Sequence, residues 1–126
     1  YKLDKIPELG KLISERANIP VARNKPVLGH GNFIRESGIG INFVMNDPLV
    51  MFGTHPSLTG KTGEVVLGKK SGKASIIYKM GELGMGALQD EQIENILDKV
   101  KAAGIAKRDV LTNDEFKNIV AEVTTA

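Results

Sequence analysis

Six consecutive residues, Gly68-Lys69-Lys70-Ser71-Gly72-Lys73, bring three cations, a hydroxyl and two glycines together. Glycine lets a backbone approach a ligand closely, and the free amides at a helix start favour anions. A phosphate or carboxylate suits such a turn, with Lys70 and Ser71 as binding groups. The plainer reading is a helix start capped by Ser71, with its lysines in solvent. A second polar cluster lies upstream. Residues 21–40 are broken by Pro26, Gly29, Gly31, Gly38 and Gly40, and they carry His30, Asn32, Arg35, Glu36 and Ser37. Loops this long and polar in a small domain are either functional or floppy. Glu36 is the acid of that loop and is a candidate general acid or base; pairing with Arg35 or capping a helix would use it equally well.

Other motifs carry less. The stretch Gly53-Thr54-His55-Pro56-Ser57-Leu58-Thr59-Gly60-Lys61-Thr62 resembles a phosphate loop in composition, but six residues separate its first glycine from the Gly-Lys pair where that loop needs four. His30 and His55 are the only histidines, with no His-x-His or His-x-x-x-His spacing, so no metal ligand set is expected; each should serve as a loop residue with a local hydrogen bond. No Ser-His-Asp set can be assembled from sequence separation alone.

These groups must be positioned by a modest set of elements. Residues 4–17 read as a helix, with Pro7 in the first turn and Ile6, Leu9, Leu12 and Ile13 at helical spacing; Asn18-Ile19-Pro20 ends it. Residues 41–46 form a short helix before Pro48, residues 49–52 a brief apolar run, and residues 64–67 one short strand. A helix follows the lysine-rich turn, with Ile76, Ile77, Met80 and Leu83 as its buried stripe. A second covers residues 90–103, with Ile93, Ile96, Leu97 and Val100 on one face and Gly104 as its stop. A third begins at the capping box Thr112-Asn113-Asp114-Glu115 and turns Phe116, Ile119, Val120 and Val123 to one side. The fold class expected is mainly α with one or two short strands (α+β), divided into residues 1–62, a helix and glycine-rich loop, and residues 63–126, a small three-helix unit.

Composition narrows the function classes. The chain has 126 residues, 41% hydrophobic and 25% charged, as in a globular domain rather than a disordered chain. It has no cysteine, which excludes a disulfide scaffold, a thiolate zinc site and a cysteine nucleophile. Aromatic residues are 5% with no Trp, and the net charge is only +2, so no nucleic-acid partner is expected. No apolar run approaches the ~20 residues of a membrane span. The first residue is Tyr1 rather than Met, which suggests a processed or excised piece of something longer.

Three segments, in order, carry a resemblance. The first is Asn24-Lys25-Pro26-Val27-Leu28-Gly29-His30-Gly31-Asn32-Phe33-Ile34-Arg35-Glu36-Ser37-Gly38-Ile39. The second is Val65-Val66-Leu67-Gly68-Lys69-Lys70-Ser71-Gly72-Lys73; the third runs Leu83-Gly84, Asp90-Glu91-Gln92, Val100-Lys101. Together they resemble the region that follows the barrel in the isopropylmalate synthase and homocitrate synthase family, within the DRE-TIM metallolyase superfamily. There the corresponding patterns are Asn-Lys-Pro-Ile-Val-Gly, an Asn/Ala-Phe pair with His-x-Ser-Gly-Ile-His, and Val-Leu-Gly-Lys-His-Ser-Gly-Arg.

The resemblance implies an acyltransferase of amino-acid biosynthesis that condenses the acetyl group of acetyl-CoA with a 2-oxo acid. Its divalent metal and acetyl-CoA sites lie on a TIM barrel, which needs ~250 residues and so lies outside this chain. No cofactor is expected on this chain itself. The implied partners are its own barrel and a second subunit of a homodimer, whose active site this region completes. The candidate catalytic residues are then Glu36 and Arg35, and the candidate substrate-binding residues are Ser37, Lys70 and Ser71. This sequence departs from the pattern at four positions. Arg35 and Gly40 stand at the two histidines flanking Ser-Gly-Ile, Lys70 at the histidine of the second motif, and Met51 at a tyrosine. Arg35 is suited to grip a substrate carboxylate in the missing histidine's place. A carbon–carbon lyase or aldolase of the same superfamily, and a non-catalytic dimerisation or regulatory module, are the alternatives. The absence of cysteine and of an export signal fits the cytoplasm.

Overall fold

Pro7 sits in the first turn of α1 (Ile6–Ala17), where a missing N–H removes no helical hydrogen bond. Asn18 closes the helix in the left-handed conformation, φ 54°, and the Ile19 N–H returns to the Ser14 carbonyl at 3.1 Å. The structure, a computed structural model, describes residues 1–125. After α1 come β1 (Ile34–Arg35), α2 (Ile41–Asn46), 3-10 turns at Pro48–Val50 and Pro56–Thr59, β2 (Glu64–Val65), α3 (Lys73–Glu82), α4 (Asp90–Lys107) and α5 (Asn113–Thr125). The strands pair in parallel: the Glu64 N–H donates to the Phe33 carbonyl at 2.9 Å and the Val66 N–H to the Arg35 carbonyl at 3.0 Å. The fold is therefore mainly helical with two short strands, as the periodicity predicts.

The chain divides into two compact units. The first comprises Tyr1–Ile34 and Phe43–Glu64; the second comprises Arg35–Asn42 and Val65–Ala126. In the first unit Phe33, Val44 and Pro56 are the buried apolar side chains. Phe33 meets Phe52 edge to face, 5.3 Å between centroids. Lys61 binds the Leu28 and Gly29 carbonyls at 3.1 and 2.9 Å, so the cation of the phosphate-loop-like stretch is spent on holding a loop.

The second unit has a continuous core. Ile76 and Met80 of α3, Ile96 and Val100 of α4 and Phe116 of α5 pack with Leu67. An antiparallel bridge ties Leu67 to Leu111, whose N–H donates to the Leu67 carbonyl at 2.8 Å. The capping box before α5 is formed on both sides: the Thr112 N–H reaches the Glu115 carboxylate at 2.7 Å, and the Glu115 N–H reaches Thr112 Oγ1 at 3.2 Å. Lys107 shares that carboxylate, and its hydrogen bond, followed by that of the Thr112 amide, holds Glu115 below the usual glutamate range.

Three expectations need correcting. Ile77 is exposed, and Ser75 and Lys79 take buried places on α3 instead. The helix cap is Gly72 rather than Ser71; the Gly72 N–H donates to Ser75 Oγ at 3.4 Å. Gly104 does not stop α4, which runs to Lys107 and closes at Arg108, φ 58°. Gly104 is there for contact: a Cβ on it would lie 2.9 Å from the Lys69 nitrogen and 3.0 Å from the Gly68 Cα.

Replacing Gly104 by Ala should destabilise the protein by about 1–3 kcal/mol through that backbone clash, although alanine is the better helix former. Gly81→Ala, in α3 with open space around it, should instead stabilise by about 0.5–1 kcal/mol. Urea unfolding of the two variants checks the opposite signs. Because Glu115 ionises more readily folded than unfolded, the stability it adds holds above the ordinary glutamate range and is lost as pH falls through its depressed value. Acid titration of wild type against Glu115→Gln should show this loss only in wild type.

Candidate functional site

All five residues singled out for chemistry, Arg35, Glu36, Ser37, Lys70 and Ser71, fall in the second unit, and the structure brings their two motifs face to face. The segment leaving β1 lies on the turn before α3, glycine on glycine. A Cβ on Gly38 would sit 2.7 Å from the Gly72 Cα and 2.8 Å from its nitrogen. Only glycine at position 38 lets the backbones approach so closely.

Glu36 fastens this contact. Its Oε1 accepts the Lys70 N–H at 3.0 Å, and its carbonyl accepts the Ser71 hydroxyl in a long bond of 3.4 Å. Ser71 Oγ in turn accepts the Gly68 N–H at 3.0 Å, and the Ser71 N–H closes the turn on the Gly68 carbonyl at 3.1 Å. Gly68 completes the fit, since a Cβ there would lie 2.6 Å from Glu36 Oε1. The anion that the glycine-rich turn receives is thus the chain's own carboxylate. Lys69 and Lys70 are exposed, while Lys73 pairs with Glu94, whose hydrogen bond raises the Lys73 pKa.

Arg35 and Ser37 are held by a small local turn. Arg35 Nη2 donates to the Ile39 carbonyl at 2.8 Å, and Ser37 Oγ accepts the Ile39 N–H at 3.3 Å. Arg35 Nε is buried and has no hydrogen-bond partner among the described residues. A buried donor without an acceptor is costly. Gly40, where the resembling family has a histidine, has φ 72° and nothing within 4 Å of a would-be Cβ. There is room for a side chain, but the left-handed backbone would cost an ordinary residue about 1–2 kcal/mol.

The histidines stay local. His55 Nδ1 accepts the Ser57 N–H at 3.3 Å and caps the Pro56–Thr59 turn; His30 is exposed. No group of three His, Cys, Asp or Glu side chains gathers among the described residues. Sequence reasoning missed Gly104 and the Gly38–Gly72 approach as parts of this site. A glycine in the last turn of a strongly periodic helix was the available signal for the first.

Glu36→Ala should leave the Lys70 amide without its acceptor and cost about 1–2 kcal/mol, whereas Glu36→Gln keeps an acceptor oxygen and should cost less than half of that. Gly38→Ala should cost more than either, because backbone rather than a side chain must move. Denaturant midpoints of the three variants establish the order.

Comparison with known proteins bears on this geometry. The family model described as "Homocitrate synthase post-HMGL domain-like" matches residues 27–108, which include both interlocked motifs and all of α4. Among curated proteins, the chain is 32% identical over 123 residues to homocitrate synthase AksA of Methanopyrus kandleri, covering 98% of this chain and 30% of that protein. It is 34% identical over 116 residues to the probable 2-isopropylmalate synthase of Ignicoccus hospitalis, covering 92% and 29%. It is 28% identical over 123 residues to (R)-citramalate synthase CimA of Methanocaldococcus jannaschii, covering 98% and 25%. The chain therefore spans less than a third of the length of these relatives. With residues 27–108 matched end to end across the locked motifs, the chain belongs to the homocitrate synthase post-HMGL domain-like family.

Proposed function

We propose that this chain is the post-barrel part of an acyltransferase that condenses acetyl-CoA with a 2-oxo acid, and that its Arg35-to-Gly38 segment finishes an active site built on a barrel domain of the partner subunit. The metal and acetyl-CoA ligands are assigned to that barrel. The observation that carries the reading is the pairing of the two family motifs by Glu36 and the Gly38–Gly72 contact, which turns two loop segments into one fixed edge. Relatives named as homocitrate, 2-isopropylmalate and citramalate synthases support the reaction class.

Within this reading the roles divide. Glu36, whose Oε1 already accepts the Lys70 amide, is a positioning residue. Arg35 supplies the chemistry: its Nη2 is fixed on the Ile39 carbonyl and its buried Nε lacks an acceptor, which an incoming carboxylate would provide. Ser37 holds the turn that orients Arg35, and Ser71 holds the lysine-rich turn. Lys70 lends its amide to Glu36 and its exposed cation to the same edge. One feature favours a second reading, the non-catalytic module: neither Gly40 nor Met51 can move a proton.

The test uses the protein as its gene encodes it, with acetyl-CoA and a panel of 2-oxo acids, following release of free CoA. Turnover with one 2-oxo acid is expected. Arg35→Ala should raise the KM for that acid about tenfold or more, the worth of a charged hydrogen bond, with Arg35→Lys between the two. Unchanged KM and kcat in Arg35→Ala discard the role of Arg35, and no release of CoA with any 2-oxo acid favours the module.

A further inference from the structure

We infer that one side of α1 is a docking surface for the HMGL-type domain that, in this family, precedes the matched stretch. Leu9, Leu12 and Ile13, at spacing i, i+3 and i+4, share a side of the helix and are 55%, 49% and 56% exposed. Ile19, just past the end, is 67% exposed. The helix meets its own unit elsewhere, through Gly10, where a Cβ would lie 2.5 Å from Leu28 Cδ2. Lys11 and Glu15, paired at 3.8 Å, mark its polar side. The apolar periodicity that makes α1 a helix is thus mostly left uncovered.

The surrounding unit shows the same imbalance. Among the described residues, the buried apolar side chains of the first unit are Phe33, Val44 and Pro56, while every exposed large apolar side chain except Ile39, Ile77 and Ile105 lies there. Exposed apolar side chains concentrated in this way mark an interaction surface. The occupant follows from where α1 falls. Alignment with the Methanopyrus kandleri relative covers 98% of the chain, so the relatives possess this region, yet the post-HMGL match begins at residue 27. The helix therefore lies on the HMGL side of the matched domain. A domain joined to it there is present at an effective concentration of about millimolar or more, well above that of a free second copy.

This inference rests on the reading that such a domain is part of the working protein, and its test is independent of catalysis. Leu12→Cys places a thiol in a chain that has none. In the protein as its gene encodes it, maleimide labelling at that position is followed by peptide mass spectrometry, native against urea-unfolded. Coverage by the HMGL-type domain should slow labelling about thirtyfold or more, whereas the half-exposure seen in this chain alone would slow it only about twofold. Labelling within about threefold of the unfolded rate overturns the proposal. So does protection that vanishes when the protein is diluted to its monomer, because a second copy is then the cover. Should Leu12→Cys not fold, Leu9→Cys and Ile13→Cys report on the same stripe. Turnover without protection removes the docking surface and leaves the acyltransferase reading; protection without turnover does the reverse.

Discussion

The approach of Gly38 to Gly72, fastened by the Glu36 carboxylate on the Lys70 amide, is the constraint on which the second unit depends. It joins backbone to backbone, so no side chain can substitute for it, and a methyl group at Gly38 would break it. Its consequences spread through the unit. Gly72 is also the cap of α3, and Gly68, at the other end of the turn, is the backbone on which Gly104 of α4 rests. One turn therefore sets the start of one helix and the depth at which another lies. The hydrophobic core around Ile76, Ile96 and Phe116 supplies the stabilising energy, while this turn supplies the register.

The same contact assigns the polar groups. A glycine-rich turn preceding a helix is an anion site by its nature, and here the anion comes from within. That leaves the carboxylate of Glu36 committed and Arg35 Nε without a hydrogen-bond partner among the described residues. The distinction matters because both residues looked equally fit for chemistry when considered as types. Hydrogen bonding separates them: Glu36 accepts the Lys70 amide, while Arg35 Nε is buried without a partner among the described residues.

The two units differ in how they are stabilised. The second closes a core of its own from three amphipathic helices and the Leu67–Leu111 bridge. The first owes more to polar stapling, such as Lys61 on two carbonyls and the His55 cap, and to the single aromatic pair of Phe33 and Phe52. A unit with so little buried apolar surface is poorly placed to offset the entropy of ordering its long loops alone. Its exposed stripe on α1 is the natural complement of that deficit.

The sequence by itself determined the elements. Apolar spacing of 3–4 residues gave α1, α3, α4 and α5, the Thr112–Glu115 box marked the start of the last, and the order of the glycine motifs pointed to the family. These features are local, and local chemistry enforces them. Tertiary structure alone decided what each glycine and each charge is for. Gly104 read as a helix stop, because a glycine after an apolar run commonly is one, yet the backbone of Gly68 and Lys69 fills the space its side chain would need. Ser71 read as a cap, although its hydroxyl is spent on Gly68 and Glu36. Contacts between segments far apart in the chain leave no periodic trace, and whether a carboxylate meets an amide or a substrate depends on distances that only folding fixes.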